Sequence, residues 1–292
     1  MNKNTNSESG ILYIVATPIG NLGDITKRAI ETLTAVDIIC AEDTRNTRKL
    51  LSHFGIQGEL QALHDHNEQH KISQIKNWLN EGKNIALVSD AGTPLISDPG
   101  YHLVNQLGNE FSIVPIPGAS AIITALSIAG LPTNRFTFEG FLPAKSAGRN
   151  KALQANANEQ RTQVYYESSH RIVVTIDAMK EIFGEQRKVV LARELTKLYE
   201  QVFRGTLAEL QEWISADPMH QKGEFVLMLE GFEQDTESDE VNTSTEEILK
   251  ILLEELPVKQ VAGIAAKITG EKKNELYRQA LMLKSGGGAQ CH

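Results

Sequence analysis

The chain has 292 residues, of which 41% are hydrophobic and 23% charged, enough apolar surface for one large globular domain or two modest ones. Its longest apolar stretches, such as residues 122–131, fall well short of the roughly 20 residues that span a bilayer, and the polar first ten residues carry no secretory core. The formal net charge of −8 argues against a protein that coats nucleic acid nonspecifically, while leaving room for an enzyme with a local basic patch.

Taken in chain order, residues 11–16 (ILYIVA) predict a strand, then a Pro/Gly turn, then a helix over 25–35 with Asp24 as its N-cap. Residues 36–41 (VDIICA) predict a second strand, 46–54 a helix ending at Gly55, and 68–80 a helix closing near Gly82. Residues 85–89 and 113–116 read as strands, and 119–129 as an apolar helix that stops at Gly130. Strands apolar on both faces, alternating with helices, predict an α/β sheet covered on both sides. Residues 131–150 mark a changeover, with 142–149 read as a mobile loop. Beyond it, strands are predicted over 164–167, 188–192, 198–204 and 224–229, and helices over 168–183 and 207–215. The acidic, polar segment 233–244 reads as a linker, followed by helical patterns over 245–256, 258–269 and 272–283. The resulting partition is a flexible leader (1–10), a first α/β domain (11–131), a second (132–232), the linker (233–244), a helical module (245–284) and a disordered tail (285–292). Cys40 reads as a buried thiol and Cys291 as an exposed one. Two cysteines this far apart build neither a disulfide framework nor a structural zinc site, so a reducing, cytoplasmic setting is the simplest reading.

Four turn segments carry candidate chemistry. Thr17–Asp24 follows the first strand with two glycines, which allow close backbone approach to a ligand. It is neither G-x-G-x-x-G nor a P-loop, and as an isolated turn it is equally a structural one. Ala41–Arg45 (AEDTR) brings two carboxylates and a guanidinium to a strand end, where acidic helix caps would also sit. Ser89–Gly100 packs two Asp, two Pro and two Gly into one stiff loop and is the most specific stretch. Pro115–Ala121 leads from a strand into a helix whose free N–H groups suit a carboxylate, or an ordinary capped helix start.

These segments, read together as ATPIGNLGDIT, AEDTR, SDAGTPLISDPG and PGASAIITALSIAGLP, resemble the tetrapyrrole methylase superfamily. More closely they resemble its ribosomal RNA small-subunit methyltransferase I family, as do HDHNE, YYESSHRI, ARELTKLYEQ and KGEFVLMLEG. The match runs over roughly residues 11–231. The resemblance implies two α/β domains with a cleft between them for S-adenosyl-L-methionine, plus a C-terminal helical module, and an enzyme that methylates a ribose 2′-hydroxyl, expected at a cytidine in the decoding region of 16S ribosomal RNA. It implies cofactor contacts from Pro18, Asp90, Ala91, Gly92, Leu95, Ser120 and Ala121, with Tyr166 and Leu195 closing from the second domain. It further implies a homodimer, with free small-subunit RNA or the assembled subunit as partner, and no metal and no membrane.

A ribose hydroxyl is a poor nucleophile at neutral pH, so a carboxylate or imidazole acceptor helps. Asp43, Glu68 and Glu194 are the candidates carried forward from a set that also holds Glu42, His64 and Glu167. The trio His64, Asp65, His66 reads as a substrate-facing loop rather than a metal site. Arg45, Arg171, Arg193 and Lys197 suit phosphate contacts or carboxylate anchoring. Lys145 and Arg149, with Lys151, Arg135 and Arg161 near in sequence, suit a basic rim. Residues 257–284 are locally basic by six cations to two carboxylates, which suits RNA contact or a solubilising cap. Two other readings stay open: a sister enzyme acting on a tetrapyrrole or a protein side chain, since fold does not fix function, and a nonenzymatic nucleic-acid-binding regulator.

Overall fold

The computed structural model describes residues 9–64, 67–233 and 244–286. Most of the expected leader, Asp65 and His66, the linker between its two end residues, and the tail beyond Gly286 (with Cys291) lie outside the described residues. The chain divides into two compact units, residues 1–232 and 233–292. No described helix is long and apolar enough to cross a membrane.

The first unit holds two five-stranded sheets. In one, β1 (Leu12–Val15), β2 (Ile38–Ala41), β3 (Glu59–Ala62), β4 (Ile85–Val88) and β5 (Ile113–Ile116) pair in the order β3-β2-β4-β1-β5. Every pairing is parallel, and β2 and β4 are buried along their whole length, as strands covered on both faces must be. Helices α1 (Lys27–Ala35), α2 (Thr44–His53), α3 (Glu68–Asn80), α4 (Tyr101–Leu107) and α5 (Ala121–Ala129) form the crossovers. Thr26, not Asp24, caps α1: its hydroxyl accepts the Ala29 N–H at 3.1 Å. Asp24 ends a short 3-10 turn instead, and Thr26 stands three residues ahead of the N–H that its hydroxyl accepts, the N-cap position. Cys40 lies buried in β2, and burial raises its thiol pKa to about 12, with nearby Lys71 opposing.

In the second sheet, β6 (Phe136–Phe141), β7 (Thr162–Ser168), β8 (Lys188–Arg193), β9 (Gln201–Thr206) and β10 (Glu224–Leu229) pair in the order β6-β7-β10-β8-β9. Only β6–β7 is parallel; the other three pairings are antiparallel. The segment expected as a mobile loop over 142–149 is ordered: α6 (Ser146–Ala155) begins within it, and Arg149 is a buried helical residue. Its guanidinium turns back to the Ala144 carbonyl, 3.5 Å away. With α7 (Ile172–Phe183) and α8 (Leu207–Ala216), α6 covers one face of this sheet around Tyr165, Ile176, Leu191 and Leu227.

The other face is covered by α5. Ile122, Ala125, Leu126 and Ala129 pack against Val164, Val190, Ala192, Val226 and Met228. An almost wholly apolar helix has no polar face to offer water, so α5 ends the first sheet's chain segment and floors the second. The sequence boundary at 131/132 falls in this same connection, between α5 and β6. A bulge in β6 between Phe138 and Gly140 bends the edge strand, and Gly140, at φ +65°, brings its backbone so near Ser97 that a Cβ there would sit 3.3 Å from the serine hydroxyl.

The second unit contains α9 (Thr245–Glu255), α10 (Val258–Thr269) and α11 (Lys273–Gly286) around a small core of Leu249, Val261, Ala262, Ala265, Leu276 and Ala280.

Candidate active site

The loops after β1, β2, β4 and β5 all leave the carboxyl edge of the parallel sheet, where open α/β sheets gather ligand-binding residues. They are tied to one another at the Asp90–Thr93 turn. Thr17 and Gly92 exchange backbone hydrogen bonds of 2.8 and 3.1 Å. The Asp90 carboxylate accepts the Asp43 N–H at 3.0 Å and the Asn46 side-chain amide at 2.8 Å. The Thr93 hydroxyl donates to the Ala119 carbonyl at 3.2 Å. Residues far apart in sequence are thereby locked into one rim.

That rim and the edge of the second sheet enclose a cleft of about 480 Å3. Asp90, Ala91, Gly92, Ser120 and Ala121 line it from the first sheet, Tyr166 and Leu195 from the second, together with Glu42, Ile96, Asp98, Phe141, Glu167 and Glu224. Pro18 lies outside it, in an adjoining groove. Leu95 packs into the core of the first sheet while its neighbour Ile96 faces the cleft. The backbone here is left-handed at two non-glycine residues, Leu95 at φ +73° and Ser97 at +66°. Two more non-glycine residues hold positive φ on the opposite wall, Glu194 at +52° and Thr196 at +67°. Such backbone costs about 1–3 kcal/mol each and persists where surrounding structure over-determines it, commonly at functional sites.

The sequence-derived proton acceptors sit in different settings. Asp43 caps α2 through the Arg45 N–H and is clamped by the Arg45 guanidinium at 2.6–3.2 Å. That side-chain contact, with the backbone bond added, lowers its pKa to about 2. Glu68 is buried and accepts the Leu103 N–H at 2.7 Å, in the first turn of α4. Glu194 accepts from the Lys197 ammonium at 2.8 Å and the Glu224 N–H at 3.0 Å. Burial works against its charge, but these donors outweigh it and hold its pKa below the usual range. Glu167 is buried and saturated by Arg171, the Ser168 N–H and Thr175. Tyr166 packs edge-on to Phe138 and beside Phe141; burial raises its phenol pKa to about 12, with the Ile122 backbone opposing.

The basic candidates are dispersed. Arg45 and Lys145 are exposed, Lys145 just ahead of α6, and His64 follows β3. Arg171 joins the Leu142 carbonyl to Glu167 (2.8 and 2.9 Å) and so fixes β6 to β7 at the cleft mouth. Arg193 is buried beneath the Lys222 and Tyr199 carbonyls. Lys197 bridges Glu194 and Glu224, at 2.8 and 2.9 Å; although burial pulls its pKa down, the two carboxylates raise it overall. Asp98 and Ile96 were read only as part of the Ser89–Gly100 loop, and Glu224 was not singled out from the sequence. Glu224 opens β10 as the last polar residue before an apolar run, a position that reads as an ordinary strand start.

Residues 11–211 match the family model for the Tetrapyrrole (Corrin/Porphyrin) Methylases, and residues 239–284 match the model for the RsmI C-terminal HTH domain. The Ribosomal RNA small subunit methyltransferase I of Haemophilus influenzae is 52% identical over 274 residues, covering 94% of this chain and 97% of that protein. The protein of the same name from Escherichia coli O157:H7 is 53% identical over 283 residues, covering 96% and 97%. The crystal structure of the methyltransferase CobJ aligns with TM-score 0.57 at 17% identity, over 76% of this chain and 95% of that one, a likeness of fold. With a family model matched over residues 11–211 and near-full-length relatives at half identity, the chain belongs to the ribosomal RNA small subunit methyltransferase I family of tetrapyrrole methylases.

Proposed function

We propose that this protein transfers the methyl group of S-adenosyl-L-methionine to the 2′-hydroxyl of a ribose in 16S ribosomal RNA, at a cytidine of the decoding region, acting in the cytoplasm as a homodimer on free RNA or the assembled small subunit. The observation that carries the reading is a cleft between the two sheets, lined by seven of the nine residues expected to hold the cofactor, in a chain whose near-full-length relatives are named as ribosomal RNA methyltransferases.

The cleft suits the cofactor. Its size lies within the roughly 300–1,000 Å3 typical of pockets that enclose a small molecule. Ser120 precedes α5 without a side-chain cap, so first-turn N–H groups are open to the cofactor's carboxylate. Asp98 and Glu42 face the same space and complement its cationic groups, while Ile19, Leu195 and Val226 offer apolar surface to an adenine. When bound, the cofactor supplies an activated methyl on a sulfonium centre. What remains for the protein is orientation of the acceptor oxygen and exclusion of water. Phe141, half exposed at the cleft mouth, offers a face for a base to stack on. Arg45, His64, Lys145, Arg171 and Lys197 form the substrate side of this reading, Arg149 being buried with its guanidinium toward the Ala144 carbonyl, with residues 233–244 as the linker to the helical module.

Labelled S-adenosylmethionine incubated with the protein and small ribosomal subunits lacking the modification tests the assignment. Label recovered in one 2′-O-methylated nucleoside is the expected result. Label absent from RNA while the cofactor binds normally would overturn it.

A further inference from the structure

Beside the cofactor cleft runs a second groove of about 340 Å3, lined by Pro18, Gly20, Asn46, Lys49, Lys197 and Glu224 among others. The two spaces share Asp90, Ala91, Ile19 and Glu224, so they meet along one seam. Glu224 stands on that seam and, among the described residues, is the only carboxylate besides Asp90 to face both. The Asp90 oxygens are taken up by Asp43 N–H and Asn46. Glu224 keeps most of its side chain exposed, 78%, with one oxygen held 2.9 Å from the Lys197 ammonium.

The placement of that pair is built by the backbone. Gly20 sits at φ +147°, and a Cβ there would lie 2.5 Å from Cγ of Lys197. The lysine stem thus runs directly over the turn after β1, carrying its ammonium from the first sheet's loop to Glu194 and Glu224 on the second. The groove's outer end carries Lys49, an exposed cation on α2.

Building on the ribose-methylation reading, we infer that the acceptor nucleotide enters through this side groove, with a phosphate against Lys49, and that Glu224, steered by Lys197, receives the proton of the hydroxyl being methylated. The hydroxyl oxygen forms its bond to the methyl carbon as the carbon–sulfur bond breaks with its electron pair passing to sulfur. The proton passes to a Glu224 carboxylate oxygen and then to water. Lys197, already paired with two carboxylates, is a positioning residue: it fixes the Glu224 rotamer and leaves the second oxygen open. Asp43 and Glu194, the candidates on motif grounds, line neither the cleft nor the groove, whereas Glu224 lines both.

The test uses the full chain with small ribosomal subunits lacking the modification. Cofactor affinity by calorimetry and subunit retention on filters without cofactor are measured beside turnover as a function of pH. Glu224→Gln is expected to lower kcat by about 10²–10⁴-fold, with loss of the acid limb of the profile and both affinities unchanged; Glu224→Asp restores part of the rate. Lys49→Ala is expected to weaken subunit retention and lower its salt slope by about 1, with cofactor affinity unchanged. The inference is overturned if Glu224→Gln turns over within about threefold of the parent, or if Lys49→Ala retains subunits as the parent does. A parent protein that labels no RNA overturns the ribose-methylation reading itself, and this inference with it.

Discussion

Glu68 and Asp43 illustrate how a charged residue inside a motif divides between chemistry and support. Glu68 is 3% exposed, and its carboxylate closes on the Leu103 N–H, one of the donors that the start of α4 leaves unmet. Replacing it with Ala leaves that N–H buried and unpaired, a loss of about 1–3 kcal/mol, whereas Gln keeps an acceptor in place. Chemical denaturation should therefore rank the parent and Glu68→Gln close together and Glu68→Ala well below, with cofactor affinity equal in all three. A large loss of turnover in a stable Glu68→Gln protein would contradict this and return Glu68 to the chemistry. Asp43 is similar in kind: its two oxygens are committed to Arg45 and to the start of α2. Both residues lie in readable motifs, yet neither faces the cleft, because a motif records that a position is constrained and not which constraint applies.

At the scale of elements, the sequence revealed what hydrophobic pattern makes visible and hid what it does not. α3, β5, α10 and β10 fall on their expected bounds, since each carries a long periodic stripe or an unbroken apolar run. Four elements, β3, α4, β6 and α6, were not predicted. β3 is an edge strand paired only with β2 and half exposed. α4 has seven residues, of which two are buried, too few to show a period. β6 loses its alternation at the bulge before Gly140. No helix was predicted over α6, and its start was read as a loop, because Ser146, Ala147 and Gly148 are small and weakly patterned; the burial of Arg149 is a tertiary fact. Four turns of the cleft were legible as unusual, but the side groove was not, since it depends on Lys197 crossing Gly20. That crossing gives an element-level prediction. Gly20→Ala imposes both a strained φ and a clash on the lysine stem. It should cost about 1 kcal/mol or more of stability and reduce turnover while leaving cofactor affinity near the parent value. Calorimetry and steady-state kinetics on the same preparation check this, and a fully active Gly20→Ala protein would show that the stem can leave the turn at no functional cost.

For the whole molecule, the problem is how a chain of net charge −8 engages a polyanion. The charges of the second unit are biased along the chain: α9 carries Glu246, Glu247, Glu254 and Glu255 against Lys250, while α10 carries Lys259 and Lys267 and α11 carries Lys273, Arg278 and Lys284 against Glu275. Lys272, Lys273 and Arg278, with Asn274 and the single carboxylate Glu275, line one shallow depression at the start of α11, a locally positive face in a chain that is acidic as a whole. Local charge of this kind governs contact with phosphates, because screening over about 10 Å at ordinary ionic strength hides the remote carboxylates. Each phosphate neutralised releases bound counterions and adds roughly 0.7 to the salt slope for single-stranded nucleic acid. Replacing Lys272, Lys273 and Arg278 together with Ala in the full chain should thus weaken binding to small ribosomal subunits and flatten the dependence of log affinity on log salt by about 2. Cofactor affinity and the rate of transfer at saturating subunit should stay near the parent values, since the first unit contains the whole cleft. An unchanged slope would mean that the helical module does not meet RNA through this face, and that the grip on the subunit resides in the first unit alone.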